Sequence, residues 1–200
     1  TNLDSVVGFL RASGYYPLSQ FLDRINKVRI LIGIDVDKYI ANAQNKSQIF
    51  FGAADEVKQD YLARLRTDIE SSTYSSDVEK GIFQLIQDLV EGKLELRAHP
   101  SKRIHAKIYL LYPEQYNQYT FGAAITGSSN LSGNGLGIGD DRQYEFNVRL
   151  TDYEDVQFGK DEFEALWAEA EGCPITAEDI QNGPIVQTYL NCDVTPYELY

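Results

Sequence analysis

The sequence predicts an α/β fold, a mixed β-sheet flanked by helices, and three observations lead there. Segments with helical periodicity come first, strand-like runs then crowd together between Leu94 and Leu150, and a further helical segment follows. Several links between the strand-like runs are too short for crossover connections, so parallel and antiparallel neighbours must mix. At 200 residues and 43% hydrophobic content the chain can bury one sizeable core, and residues 1–200 read as a single domain.

The elements follow in order. In "YYPLSQFLDRINK" the residues Leu18, Phe21, Leu22 and Ile25 fall at helical spacing, with Pro17 near the start. "VRILIGIDVD" is a β-branched run that predicts a buried strand, and its closing acids Asp35 and Asp37 suit a helix cap better than a cation site. Helices are expected over 53–69 and 77–91, the second carrying Ile82, Leu85, Ile86 and Leu89 on one face until Gly92 stops it. Strands are expected in "KLELRAH", "IHAKIYLLY", "TFGAAITG" and "YEFNVRL", each bounded by Pro, Gly, Asn or Asp. A helix over 161–171, with Phe163, Leu166 and Trp167, packs afterwards. There is no internal repeat and no low-complexity tract.

Composition excludes some functions. A net charge of −12 argues against a surface that grips nucleic acid through bulk electrostatics, so any such contact must be local. No apolar run approaches the ~20 residues of a membrane span, and "TNLDSVVGFL" lacks the basic flank of a signal peptide, which predicts a cytoplasmic protein. Cys173 and Cys192 have neither disulfide-framework nor metal-ligand spacing. The chain has no methionine and ends in "VTPYELY", which reads as the middle of an element and suggests a piece of a longer protein.

The chemistry-bearing stretch is "RIHAKIYLLY". If "HAKIYLL" is a strand, His105, Lys107, Tyr109 and Leu111 share one face, while Ala106, Ile108 and Leu110 share the other. A following strand, "FGAAIT", runs into "GSSNLSGNGLGIG", where small polar residues appear just as it ends. Strand ends are where α/β folds place ligands.

The pair His105-Ala106-Lys107 and Gly127-Ser128-Ser129-Asn130 resembles the HxK and GSxN signature of the phospholipase D superfamily. The motifs span about an eighth of the chain. Where the family carries an Asp after the Lys, this sequence has Tyr112, with Glu114 the nearest acid. "QYEFNV" offers Glu145, similar to a supporting glutamate of the nuclease branch. "HAKIYLLY", "TGSSNLSGNGL", "YEFNVRL" and "TPYELY" together resemble the phospholipase D-like domain at the N-terminus of bacterial superfamily 2 (SNF2-type) helicases and related restriction enzymes.

The resemblance implies a single-motif phospholipase D-like domain that cleaves phosphodiesters, DNA above all, without metal or other cofactor and through a phosphohistidine. It implies that His105 attacks or protonates, Lys107 neutralises phosphate oxygens, Ser128 and Asn130 donate hydrogen bonds to them, and Glu145 fixes the imidazole tautomer. Because the family's site uses two such motifs, it also implies a homodimer sharing the site, and a helicase motor beyond Tyr200. The alternative is a non-catalytic module that keeps the fold and binds nucleic acid or a partner, favoured by Tyr112 and the negative charge.

Other signals are weaker. The glycines of "GNGLGIG" fall at every second position, which meets neither the dinucleotide nor the P-loop pattern and reads as a flexible loop. "EGK" at 91–93 lacks the upstream partner of a magnesium nuclease motif. His99 lies near Arg97, Lys102 and Arg103, either a phosphate guide or a solvated turn. The fourteen tyrosines could stack on bases, but most suit half-buried packing.

Overall fold

The computed structural model describes residues 1–33, 54–71, 76–100, 104–138 and 144–185. Asp35, Asp37, Lys102, Arg103, Cys192 and the closing "TPYELY" lie outside them.

Seven strands form one mixed sheet: β1 (Asn2–Val7), β2 (Lys27–Ile32), β3 (Leu94–Ala98), β4 (Ile108–Tyr112), β5 (Ala123–Gly127), β6 (Asn147–Leu150) and β7 (Pro174–Ile175). Their spatial order is β6-β5-β4-β1-β2-β3-β7. β1, β2 and β3 run parallel, whereas β4 is antiparallel to β1, β5 to β4, β6 to β5 and β7 to β3. The pairings Val7↔Ile32, Ile32↔Ala98, Val6↔Ile108, Ile108↔Thr126 and Gly127↔Asn147 run along one edge. The C-terminal ends of β1, β2, β3 and β5 therefore share that edge with the starts of β4 and β6.

Helices cover both faces. On the first, α1 (Ala12–Ser19), α2 (Ala54–Ser71) and α3 (Ser76–Val90) add Tyr15, Leu65, Ile69, Ile82 and Leu85 to a core with Leu3, Val7, Ile30 and Ile32. On the second, α4 (Tyr153–Glu169) packs Val156, Phe163 and Trp167 against Val6, Leu31, Leu110 and Tyr112. The alternation of Ile30 and Ile32 against Leu31 is the strand period of two. A short helix α5 (Ala177–Ile180), started by a Thr176–Asp179 capping box, closes the described chain with the single turn Gln181–Ile185.

One element was not assigned from the sequence, and several expectations are corrected. The N-terminal run "NLDSVV" is the central strand β1 although it carries Asp4 and Ser5, both buried. Burial of Asp4 is tolerable because Arg29 grips it bidentately, Nε to Oδ1 at 2.7 Å and the second guanidinium nitrogen to Oδ2 at 2.6 Å. The first helix begins at Ala12 and ends at Ser19, so Pro17 lies in its last turn rather than near its start, and a 3-10 turn takes Leu22–Arg24. Helix α4 starts eight residues before the expected 161, at Tyr153.

β4 starts only at Ile108, so His105 and Lys107 precede the strand rather than ride it. The reason is β1, whose pairing with β4 ends at Val6↔Ile108 before the chain leaves the sheet for α1. Within β4 the expected alternation holds: Tyr109 and Leu111 pack on the first core, and Leu110 and Tyr112 belong to the second.

Candidate active site

The predicted residues gather at the shared sheet edge. Lys107 is buried, and its Nζ donates to the His105 carbonyl at 2.8 Å and lies 3.3 Å from the imidazole Nδ1. The backbone folds the pair together without a ladder partner on the β1 side, while the Gly127 N–H donates to the Lys107 carbonyl at 3.3 Å on the other. His105 itself is exposed. Burial pushes the Lys107 ammonium below its ordinary pKa, and the nearby Glu145 carboxylate pulls it part of the way back.

Ser128 and Glu145 meet directly. The Ser128 hydroxyl donates to Glu145 Oε2, and it accepts the Phe146 N–H at 3.0 Å. The Ser128 N–H in turn donates to the Phe146 carbonyl at 3.1 Å. A Cβ on Gly127 would lie 2.1 Å from the Phe146 carbonyl oxygen, so only glycine lets β5 and β6 approach this closely. The single hydroxyl proton of Ser128 thus goes to Glu145, and a phosphate would have to exchange for that bond. The group at the imidazole Nδ1 is Lys107, not Glu145.

Asn130 sits on the other side of the cluster. Its Oδ1 accepts the Gly8 N–H at 3.0 Å and the Phe9 N–H at 3.4 Å, which ties the exit of β5 to the exit of β1. The same loop is anchored by Arg11 N–H to the Leu131 carbonyl at 2.9 Å and Gly133 N–H to Ser13 Oγ at 3.2 Å. Between the Gly8–Ser13 turn and this loop lies a cleft of about 220 Å³, lined by Phe9, Arg11, Asn130, Asn134 and Glu145 among others.

Four residues build the site without standing out in the sequence pattern. Asn147 clamps Ser129, its Nδ2 donating to Oγ at 2.8 Å and its Oδ1 accepting the N–H at 3.4 Å. Tyr109 donates to the Ser129 carbonyl at 2.8 Å, and burial together with Glu145 raises its pKa. Phe9 and Arg11 come from the β1–α1 turn, more than ninety residues from His105; once β1 is recognised, their place just after a central strand is the available signal.

The remaining candidates are structural. His99 is fully buried, not in a solvated turn, with its Nε2 3.3 Å from Glu169 Oε2. Arg97 donates to the Trp167 carbonyl at 2.8 Å and stacks 4.2 Å from its ring centroid, which commits it to the core face. Tyr112 is buried, donates to Asp4 Oδ2 and accepts from Arg29 at 3.2 Å, so the position of the family's Asp serves the Asp4–Arg29 pair. Residues 133–137 of "GNGLGIG" form a turn docked on the β1 exit, with a Cβ on Gly135 calculated to fall 2.3 Å from the Asn130 carbonyl. Among the described residues, no group of three or more His, Cys, Asp or Glu converges as a metal site, and no helix is long and apolar enough to cross a membrane. Cys173 is buried.

No protein-family model matches this chain, and no curated relative matches it.

Proposed function

We propose that this chain is a phospholipase D-like, metal-independent phosphodiesterase domain acting on DNA. The observation that carries the reading is the Lys107 ammonium 3.3 Å from the His105 imidazole, at a strand end shared with Ser128, Asn130 and Glu145. A cation that is buried yet next to an exposed imidazole suits the non-bridging oxygens of a phosphodiester. The mixed sheet covered by helices on both faces is compatible with that fold.

In this reading His105 Nε2 attacks phosphorus and a P–N bond forms as the P–O bond to the leaving group breaks. A second imidazole gives its proton to the leaving oxygen. The second imidazole, now neutral, takes a proton from water as the water oxygen attacks phosphorus and the P–N bond breaks, returning the histidine. For Nε2 to attack, Nδ1 must carry the ring proton. The Lys107 ammonium 3.3 Å from Nδ1 can only donate there, so attack at Nε2 requires it to turn its donors to the phosphate oxygens and leave Nδ1 to hold the ring proton. The second imidazole would come from a second copy of the chain, giving a cytoplasmic homodimer with a shared site, appended to a helicase motor in a longer protein.

The test is hydrolysis of bis-(p-nitrophenyl) phosphate in excess EDTA by wild type and His105→Ala. Wild type is expected to turn over and His105→Ala to sit at background. Equal rates for both sink the reading. A second reading, a phosphate- or partner-binding module without catalysis, is favoured by the bond from Ser128 to Glu145, which leaves a carboxylate facing any incoming phosphate. Binding of DNA by a chain that shows no hydrolysis would select it.

A further inference from the structure

We propose that the cleft between the Gly8–Ser13 turn and the Asn130–Gly135 loop is a nucleotide subsite, so that the substrate class is single-stranded nucleic acid rather than lipid. The inference rests on the phosphodiester reading only for what happens at His105; the subsite is argued from its own lining. The cleft measures about 220 Å³ and holds one aromatic ring, one guanidinium, one carboxylate and two side-chain amides.

That mixture selects an occupant. Arg11 and Glu145 together leave no surplus of positive charge, so a bare phosphate gains little there. A nucleobase matches better, because it offers a flat apolar face and an edge with both donors and acceptors. Phe9 is 41% exposed, and the Arg11 guanidinium carbon lies 5.5 Å from its ring centroid, so ring and cation form one platform at the cleft wall.

Asn130 then joins the two parts of the site. Its Oδ1 faces two backbone donors, Gly8 and Phe9 N–H, which fixes the amide orientation and holds the Phe9 backbone in place. The Nδ2 hydrogens are thereby turned away from those donors. Glu145 lines the same cleft and accepts from Ser128, which follows the Gly127 whose N–H bonds the Lys107 carbonyl, so Glu145 links the cleft to the strand end that carries Lys107. A base on Phe9 would place its own backbone next to the reacting phosphate, with Arg11 meeting the flanking one. A base can enter such a cleft only when it is unpaired.

The experiment measures fluorescence anisotropy of a labelled oligothymidylate and of an abasic strand of equal length, with the full chain. Wild type and His105→Ala are expected to bind the thymidylate about tenfold more tightly than the abasic strand, the range of one or two stacked bases. Phe9→Ala is expected to abolish that preference, and Arg11→Gln to weaken both strands alike. Equal affinity of wild type for both strands, a preference untouched by Phe9→Ala, or equally tight binding of a duplex overturns the subsite. Base-dependent binding in a chain that does not hydrolyse bis-(p-nitrophenyl) phosphate upholds the subsite and counts against catalysis, which keeps the two failures apart. Thermal melts of Phe9→Ala and Arg11→Gln, both surface changes, are expected to match wild type.

Discussion

Asn130 Oδ1 accepts the Gly8 N–H at 3.0 Å across 122 residues of sequence. This bond joins the ends of β1 and β5, and with them the cleft and the cluster around His105. Asn130→Ala removes the acceptor and leaves the Gly8 and Phe9 N–H groups to solvent or to nothing, so a loss of about 1 kcal/mol in stability is expected. Asn130→Asp keeps the acceptor and should retain most of that stability while adding a second carboxylate to the cleft. Urea denaturation of the two variants measures the difference, and equal losses would separate Asn130 from the strand junction.

Lys107 makes stability depend on pH with a definite sign. Burial holds its folded pKa below the ordinary 10.5, so the charged form costs stability. Below the folded value both states hold the proton and the cost is full. Between that value and 10.5 the unfolded state binds more protons, and stability rises with pH. Wild type is therefore expected to gain on Lys107→Met as pH climbs through this window, the difference cancelling tyrosine titration common to both. Glu145→Gln removes the group that raises the Lys107 pKa, so the window should open at lower pH. Urea midpoints across pH 7 to 10.5 provide the readout, and parallel curves would contradict it.

Tyr112 holds the Asp4–Arg29 pair together from the next strand. Tyr112→Phe deletes its hydroxyl and is expected to cost about 1–2 kcal/mol. Tyr112→Asp restores the acid of the family pattern, yet it sets a carboxylate against buried Asp4 and is expected to cost more, about 3 kcal/mol or above. Neither should raise hydrolysis, because the side chain contacts Asp4 and Arg29 and not His105. Thermal unfolding and phosphodiester assays on both variants check this; a gain of activity in Tyr112→Asp would reverse the assignment.

Gly127→Ala tests the closeness of β5 and β6. Its Cβ would meet the Phe146 carbonyl oxygen at 2.1 Å and the Asn147 side-chain oxygen at 2.4 Å, so the strands must part. Overpacking of this kind is expected to cost about 1–3 kcal/mol. The same displacement shifts Ser128 and the Gly127 N–H that holds the Lys107 carbonyl, so activity should fall further than stability does. A hydrolysis rate equal to wild type in a destabilised Gly127→Ala would show that the position of Ser128 beside Lys107 is dispensable.

Much of this molecule is legible along the chain because its signals are local. The apolar faces of α3 and α4, the β-branched run of β2, the apolar run of β4, and the small polar residues after β5 each reflect a period or a turn preference within a few neighbours. The α/β class and the mixed sheet were accessible that way, whereas the grouping of His105, Lys107, Ser128, Asn130 and Glu145 as one candidate set came from the resemblance of their motifs to the phospholipase D signature. What the chain could not disclose depends on contacts far apart in sequence. Asp4 makes "NLDSVV" look unlike a central strand until Arg29 is beside it, and His105 looks like a strand residue until β1 is seen to leave the sheet at Gly8. The roles of Phe9, Arg11 and Asn147, and the diversion of Tyr112 to Asp4, were decided only by tertiary structure. The physical reason is that burying a charge or hydroxyl depends on a partner's position, and local sequence carries no record of partners 25 to 122 residues away.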